Sequence, residues 1–151
     1  MYKKIMVPLD GSKLAECALK QASEIAKGCS IPVVELVTVV NPFFWWEGEV
    51  NDPTVYQQVE EDEKAKAREY LKKEAAELDN SGLNVHTVML EGNAANEIIN
   101  YARDNGVDLI LMTTHGRSGI TRFALGSVTD KVVRTVSVPV LVIAPPGCRA
   151  K

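Results

Sequence analysis

The chain has 151 residues, of which 46% are hydrophobic and 25% charged, and its formal net charge is −3 at pH 7. This length is sufficient to bury one core without disulfides or structural metals, so we expect a single domain over residues 1–151. The acidic balance argues against a nucleic-acid-binding surface, and no segment reaches the roughly 18 apolar residues of a membrane span.

Strand-like apolar runs alternate with helical patterns in the first part of the chain. Residues 4–9 predict a strand, and Asp10-Gly11-Ser12 predicts a turn after it. Apolar residues then recur at helical spacing over residues 14–26, and Gly28 is a typical helix end. Residues 32–40 are nearly all apolar and rich in valine, which predicts a strand buried on both faces.

The same alternation continues to the end of the chain. Residues 41–51 predict a loop, and Asp52-Pro53 predicts an N-cap followed by proline at the first helical position. The helix that follows runs to about Asp79 and carries Glu and Lys at i,i+4 spacing, which indicates a solvated face. The later predicted elements are a strand at 85–90, a helix at 94–103, a strand at 108–112, a helix at 128–135 and a strand at Val140–Ile143.

Strands that alternate with helices predict a parallel sheet with right-handed crossovers and helices on both faces. In such sheets, ligands bind beyond the carboxyl ends of the strands, where the strand order reverses. We therefore expect the functional loops at residues 10–12, 41–51, 91–93 and 113–127.

The segment MTTHGRSGITRFALGSVTD, residues 112–130, places glycines, arginines and hydroxyl side chains between a strand and a helix. Backbone N–H groups and the helix macrodipole attract anions at a helix N-terminus. Gly126 would let a phosphate approach the backbone, and Ser127 would donate its hydroxyl. Alternatively, Ser127 is only an N-cap, because residues 127–130 resemble a capping box with Asp in place of Glu. The spacing fits neither a Walker loop nor a GxGxxG fingerprint.

The sequence resembles the universal stress protein family along nearly its whole length. The matching stretches are KKIMVPLDGS, EGNAANEIINYARDNGVDLILMTTHGRSG and ALGSVTDKVVRTVSVPVLVIAPP. The ATP-binding pattern of this family is Gly, two residues, Gly, nine residues, then Gly followed by Ser or Thr. Gly116, Gly126 and Ser127 match this pattern, whereas Thr113 stands in the place of the first glycine.

The resemblance implies an open, doubly wound five-stranded parallel sheet of order 3-2-1-4-5, of the adenine nucleotide alpha hydrolase-like type. It also implies that Asp10 lies near the ribose or the triphosphate and that the backbone of Val39 meets the adenine edge. The Thr113 hydroxyl would bond a ribose or phosphate, and Leu9 is apolar where a polar residue is frequent. The other implied nucleotide-site residues are Pro8, Leu9, Gly116, Gly126, Ser127, Val128 and Thr129.

Asp10 has two interpretations. Asp-Gly-Ser is a common turn in which the carboxylate bonds its own backbone. At the carboxyl end of a strand, Asp10 would also face the nucleotide. A carboxylate beside a triphosphate requires a cation between them, so Mg²⁺ or Mn²⁺ is implied at Asp10 through ATP.

No catalytic residue is predicted. His115 lies inside the glycine loop, where we expect it to shape the nucleotide site, and no Ser/His/Asp or Cys/His arrangement is evident. Arg117 and Arg122 either reach the γ-phosphate or are solvated loop charges. His86 falls in a strand pattern, and two histidines 29 positions apart form no recognisable zinc site. We expect at most slow ATP hydrolysis.

Four of the nine aromatic residues fall in one predicted loop: Phe43, Phe44, Trp45 and Trp46. Three alternatives stay open for them, namely a cluster packed under the loop, a hydrophobic lid beside adenine, and a partner-binding patch. The lid alternative rests on the position of this loop directly after Val39.

The resemblance implies an ATP-binding stress-response protein in which the nucleotide acts as a signal or cargo. The competing function is a dimeric interaction module that binds no nucleotide. We expect a homodimer through Val140–Ile143, because an apolar edge strand with unpaired backbone groups favours pairing across a two-fold axis. Cys17, Cys29 and Cys148 form no CxxC pair and the N-terminus lacks the apolar region of a signal peptide, which predicts a cytoplasmic protein.

Overall fold

A computed structural model of the chain describes residues 1–42, 53–114 and 125–144. The strands are β1 (Lys4–Pro8), β2 (Val33–Val40), β3 (Val85–Glu91), β4 (Leu109–Thr113) and β5 (Val140–Ile143). The helices are α1 (Lys13–Gly28), α2 (Pro53–Asp79), α3 (Ala94–Asp104) and α4 (Ser127–Thr135). Each predicted strand and helix is present, with ends that lie within two residues of the predicted ones.

The five strands form one parallel sheet of order β3-β2-β1-β4-β5, which confirms the expected topology. β1 lies at the centre, between β2 and β4, and the strand order reverses at this point. The register places Pro8 beside Val37 of β2 and Ile5 beside Leu109 of β4. The carboxyl ends of β1, β2 and β4 therefore meet at the same edge of the sheet.

Helices cover both faces because alternate residues of each strand point to opposite sides. On one face, Ile5 and Val7 of β1 join a core cluster with the buried alanines of α1 and with Leu71 of α2. On the other face, Met6 of β1 joins a second cluster with residues of α3 and α4, including Val132. α1 and α2 thus share one layer, and α3 and α4 share the other.

Polar side chains begin two of the helices. The Ser12 Oγ accepts a hydrogen bond from the Ala15 N–H at 3.1 Å, and the Asn93 Oδ1 accepts one from the Asn96 N–H at 3.2 Å. Each bond satisfies a first-turn donor that has no carbonyl partner within its helix. These two caps position the starts of α1 and α3 at the carboxyl edge of the sheet.

Polar contacts join the three central strands at their amino ends. The Asp108 Oδ2 accepts hydrogen bonds from the Lys3 N–H at 2.7 Å and from the Lys4 N–H at 3.0 Å. The bond from Lys3 is the main reason why the pKa of Asp108 is lowered. The Lys4 Nζ also lies 2.9 Å from the Oε1 of Glu35, a buried residue of β2. These contacts connect the start of β1 to both of its neighbours.

The solvated face predicted for α2 is present. The Lys64 Nζ lies 2.7 Å from the Glu60 Oε1, an i,i+4 pair, and 3.1 Å from the Glu91 Oε2 at the end of β3. The second contact joins α2 to the sheet. None of the helices in the described residues is long and apolar enough to cross a membrane.

Candidate functional site

A cavity of about 240 Å³ lies at the carboxyl edge of the sheet, at the switch between β1 and β4. Nine of the twelve residues predicted for a nucleotide site line it: Pro8, Leu9, Asp10, Val39, Thr113, Gly126, Ser127, Val128 and Thr129. The other three, His115, Gly116 and Arg117, lie outside the described residues, as does Arg122. The fold therefore brings together segments that are more than 100 positions apart in sequence.

Five further residues that the sequence pattern did not predict also line the cavity: Ala15, Val37, Ala94, Ile98 and Met112. Val37, Ile98 and Met112 also belong to the core cluster on the α3 face, so their sequence pattern is that of core residues. A signal was available for two of the five. Ala94 directly follows the expected loop at 91–93, and Val37 pairs with Pro8 once the strand order is known.

α4 begins without a side-chain cap. Gly126 is the N-cap residue, with φ −57° and ψ 152°, and Ser127 is already the first helical residue. The interpretation of Ser127 as an N-cap is therefore wrong. Asp130, which would complete the capping box, instead accepts a hydrogen bond from the Arg134 Nε at 2.8 Å. The first-turn N–H groups of α4 thus lie beside the cavity with no capping side chain among the described residues.

Two hydrogen bonds connect the start of α4 to the end of β4. The Gly126 N–H donates to the Thr114 carbonyl at 2.6 Å, and the Thr129 Oγ1 donates to the Thr113 carbonyl at 2.9 Å. The second bond commits the Thr129 proton to the backbone, so Thr129 offers the cavity an acceptor and not a donor. Ser127 therefore supplies the hydroxyl that can donate a hydrogen bond to a ligand at this end of α4.

Asp10 has the geometry of the predicted turn and also lines the cavity. Its Oδ1 accepts hydrogen bonds from the Ser12 N–H at 3.0 Å and from the Ser12 Oγ at 2.6 Å. Gly11 has φ +81°, a conformation that favours glycine. The turn begins at Leu9, whose N–H donates to the Val37 carbonyl and whose carbonyl accepts from the Thr38 Oγ1. The turn therefore forms part of the cavity wall.

The two sides of the cavity differ in chemistry. β2 and α3 supply the apolar side chains of Val37, Val39 and Ile98. β4 and α4 supply the hydroxyl groups of Thr113 and Ser127. A mostly apolar wall with a few placed polar groups is typical of a small-molecule site.

Within residues 1–42, 53–114 and 125–144, the acidic and metal-ligating side chains do not form a metal centre by themselves. The described residues contain no group of three or more His, Cys, Asp or Glu that could hold a metal ion. A cation beside Asp10 would thus need further oxygen ligands from a bound molecule. His86, on β3, is exposed and lies apart from the cavity lining.

Two further sequence expectations concern the aromatic stretch and the cysteines. Phe43, Phe44, Trp45 and Trp46 lie outside the described residues, so their three alternatives stay predictions. Cys148 also lies outside them, whereas Cys17 and Cys29 are free thiols.

A parallel sheet with helices on both faces and a cavity at its switch point defines an α/β protein of the open, doubly wound class. The model of the universal stress protein family matches residues 1–144. The chain therefore belongs to the universal stress protein family.

Similar proteins extend this result. Universal stress protein MJ0531 of Methanocaldococcus jannaschii is 38% identical over 147 residues, which cover 97% of this chain and 84% of that protein. The solved structure of MJ0577 from the same organism has a TM-score of 0.84 at 31% identity, and the match covers 97% of this chain and 99% of that one.

Two more distant structures share the fold alone. A universal stress protein family protein from Arabidopsis thaliana, with AMP bound, has a TM-score of 0.71 at 17% identity and covers 96% of this chain and 93% of its own. A universal stress protein in complex with cAMP has a TM-score of 0.70 at 20% identity and covers 95% and 97%.

Proposed function

We propose that this protein binds ATP, with Mg²⁺ or Mn²⁺, in the cavity at the carboxyl edge and acts in the stress response as a nucleotide-dependent regulatory or interaction protein. The observation that carries the proposal is the start of α4. Gly126 and Ser127, which match the end of the family ATP pattern, line the same cavity as Asp10 and Val39. The phosphates would lie at Gly126 and Ser127.

The start of α4 suits a phosphate for electrostatic reasons. A helix N-terminus carries about half a positive elementary charge, and its first N–H groups point away from the helix. Gly126 has no side chain to occupy these donors. A phosphate there would accept hydrogen bonds from the backbone and from the Ser127 hydroxyl.

The rest of the cavity suits an adenosine with a bound cation. The apolar side formed by Val37, Val39 and Ile98 would take the base. Asp10, in the turn after β1, repels a triphosphate unless a divalent cation lies between them, and the nucleotide oxygens would complete the shell of that cation. The AMP and cAMP bound to two proteins of the same fold support an adenine nucleotide as the ligand.

Titration calorimetry tests the proposal. We expect saturable binding of ATP with Mg²⁺, weaker binding of ATP after chelation of the cation, and weaker binding of inorganic triphosphate, which lacks the base. Mass spectrometry of the freshly purified, denatured protein should also detect co-purified nucleotide. A folded protein that binds none of these ligands would favour the alternative, a dimeric interaction module without a nucleotide.

We assign no general base among the described lining residues, and so we propose at most slow ATP hydrolysis. The two free thiols fit a reducing compartment, which supports a cytoplasmic location.

We also propose that two copies of the chain pair through β5. β5 is the last strand in the sheet order, so one of its edges has no neighbouring strand among the residues that the structure describes. Its Leu141 is 40% exposed, and Val133 on the neighbouring α4 is also exposed. An apolar edge strand of this kind favours pairing with its own copy across a two-fold axis.

Light scattering at micromolar concentration should therefore give the mass of a dimer. Leu141→Glu should shift the protein to a monomer, because it places like charges opposite each other at the two-fold axis. Val55→Glu on α2 is the matched control, since Val55 is similarly exposed but lies on a helix that packs against β2 and β3, whereas β5 is at the other end of the sheet. A monomeric wild-type protein would contradict this proposal.

A further inference from the structure

Two titratable side chains are neighbours near the amino end of the sheet, on the face that α3 covers. The strand register places Glu35 of β2 between Met6 of β1 and His86 of β3. Val37 and Val88, two residues further along β2 and β3, pack in the core cluster on the α3 face. Because alternate residues of a strand share a face, Glu35 and His86 point to that same side. Neighbouring strands lie about 4.8 Å apart, so these two side chains are within reach of each other.

Glu35 is a buried carboxylate with one unsatisfied oxygen. The residue is only 4% exposed. Its Oε1 lies 2.9 Å from the Lys4 Nζ, which also donates to the Asn105 carbonyl at 3.0 Å. Its Oε2 is buried and has no hydrogen-bond partner among the described residues. Buried polar atoms are normally hydrogen-bonded, so Glu35 has an acceptor that needs one further donor.

The other groups around Glu35 do not supply this donor. From α3, the Tyr101 hydroxyl lies near the carboxylate but makes no hydrogen bond to Oε2. Burial, followed by the Glu35 carboxylate, raises the pKa of Tyr101 above its usual value of about 10, so this phenol does not titrate near neutral pH. Arg103 and Asp104, also on α3, are exposed and paired with each other at 2.7 Å.

The remaining charged groups at this end of the sheet are also engaged. The Asp108 carboxylate, just before β4, accepts the backbone N–H groups of Lys3 and Lys4. The charged side chains of α1 and α2 lie on the other face of the sheet. His86 is therefore the titratable neighbour from which Glu35 could receive a donor.

His86 suits this part because its charge depends on pH. It is exposed and lies on β3, the first strand in the sheet order, which pairs with β2. An imidazole changes its charge between about pH 5 and pH 8. The imidazolium donates from both ring nitrogens, and a hydrogen bond between two ions is stronger than one between neutral groups.

We propose that His86 and Glu35 form a pH-sensitive clamp between β2 and β3, which closes when His86 takes a proton from solvent and donates a hydrogen bond to the Glu35 Oε2. In the structure the clamp is open, because Oε2 has no partner among the described residues. Closure needs only side-chain rotation, since the two strands are already paired in register. The folded protein would then hold the His86 proton more tightly than the unfolded chain. The added stability is therefore present at about pH 5.5 and lost as the pH rises towards 8.

This clamp is independent of the proposed nucleotide function, because it lies at the opposite end of the strands from the cavity. Its effect would be on β3, an edge strand that depends on β2 for its strand pairing among the described residues. Mild acidification should thus hold β3 more firmly in the sheet.

A double-mutant cycle on the full-length protein tests the clamp. Its members are the wild type, Glu35→Gln, His86→Gln and the double variant. Urea denaturation gives the unfolding equilibrium constant of each at about pH 5.5 and pH 8. The cycle isolates the pair, so the titration of distant groups such as Glu74 cancels. We expect a coupling of about fivefold in this constant at the lower pH and of less than about twofold at the higher pH, since His86 is exposed.

The same cycle with Asp104→Asn in place of Glu35→Gln is the matched control. Asp104 is an exposed carboxylate on the last turn of α3, at the same end of the sheet, and we expect no coupling to His86 at either pH. If Glu35→Gln fails to fold, His86→Gln alone should lose more stability relative to the wild type at about pH 5.5 than at pH 8. Equal coupling at both pH values, no coupling, equal coupling in the control, or an equal loss in His86→Gln at both pH values would overturn the proposal.

Discussion

The cavity at the carboxyl edge and the region between α1 and α2 differ in how their polar groups are satisfied. In the cavity, α4 starts at a glycine, and its first-turn N–H donors have no capping side chain among the described residues. Between α1 and α2, Glu74 is only 3% exposed but has an ion-pair partner, the Lys73 Nζ at 3.7 Å. The first arrangement favours an anion, whereas the second pairs its own charge. An acidic net charge of −3 does not distinguish the two regions, so the local pairing of polar groups is the better guide to a ligand.

The same contrast separates two helices that both contribute to the cavity. Ser12 caps α1 and also holds Asp10, so this turn satisfies its own donors. α4 instead begins with Gly126, at a backbone conformation that any residue can adopt. The backbone conformation therefore does not require glycine at position 126. We expect glycine to matter there because a side chain would fill the space beside the first-turn N–H groups.

The largest expected effect comes from Gly126→Val. The added side chain would occupy the space in front of the α4 donors, so we expect loss of measurable ATP binding by calorimetry. Because φ is −57°, the fold should remain intact, which circular dichroism can check. Gly28→Val is the control, since a Cβ at Gly28 meets no atom within 4 Å. If a folded Gly126→Val protein bound ATP with normal affinity, the loop before α4 would be only a connection and not a phosphate site.

Ser127→Ala and Asn93→Ala form a matched pair that sharpens the contrast between helix starts. Ser127→Ala should weaken ATP binding by roughly 1–2 kcal/mol, the scale of a hydrogen bond to a charged group, with little change in the free energy of unfolding. Asn93→Ala removes the cap of α3 and should lower the free energy of unfolding by about 1 kcal/mol. Calorimetry and urea denaturation of both variants give the two quantities. An equal loss of stability in both would mean that Ser127 supports the fold.

The smallest effect is expected from the pH dependence of Glu74. Because its pKa is raised in the folded protein, the native state holds this proton more tightly than the unfolded chain. The free energy of unfolding contributed by Glu74 should therefore fall as the pH rises from about 4.3 through the raised pKa. Glu74→Gln should abolish this fall and be more stable than the wild type above that range.

Urea denaturation between about pH 4 and pH 8 measures this dependence. The exposed Glu69→Gln should retain the wild-type profile. A Glu74→Gln protein with the same profile would show that burial imposes no cost on the charged form of Glu74, and Glu74 would then not differ from the exposed Glu69.

The fold was predictable because its signals are local and repeated. Val140–Ile143 is an isolated apolar run, and β5 has the predicted ends. Pro53 marks the start of α2 for the same kind of reason, since proline is favoured at the first helical position. The strand order needed more than local patterns, and it came from the family resemblance.

The site was predictable only where chemistry distinguishes a residue from the core. Asp10, Gly126 and Ser127 are conspicuous in sequence, whereas Val37 looks like any valine of a buried strand until its pairing with Pro8 is known. Ser127 was open to misinterpretation as a cap because residues 127–130 have capping-box spacing, and the three-dimensional start of α4 decided the matter.

Glu74 shows the same limit on the other face of the sheet. In sequence it is one of many Glu residues on a charged helix, and its burial depends on how closely α1 approaches α2. Helical periodicity carries no information about that approach.

The central place of β1 has a consequence for synthesis on the ribosome. β1 is made first, yet it pairs along one edge with β4. The Asp108 carboxylate also accepts a hydrogen bond from the N–H of Lys3, which lies 105 positions earlier in the chain. β2 can cover the other edge of β1 early, but the edge that faces β4 has to wait until more than two thirds of the chain has been translated. Such late closure is slow, because the long loop must be closed before its contacts form. The nascent chain thus exposes an apolar strand edge for most of its synthesis, a period in which chaperones would be of most use to it.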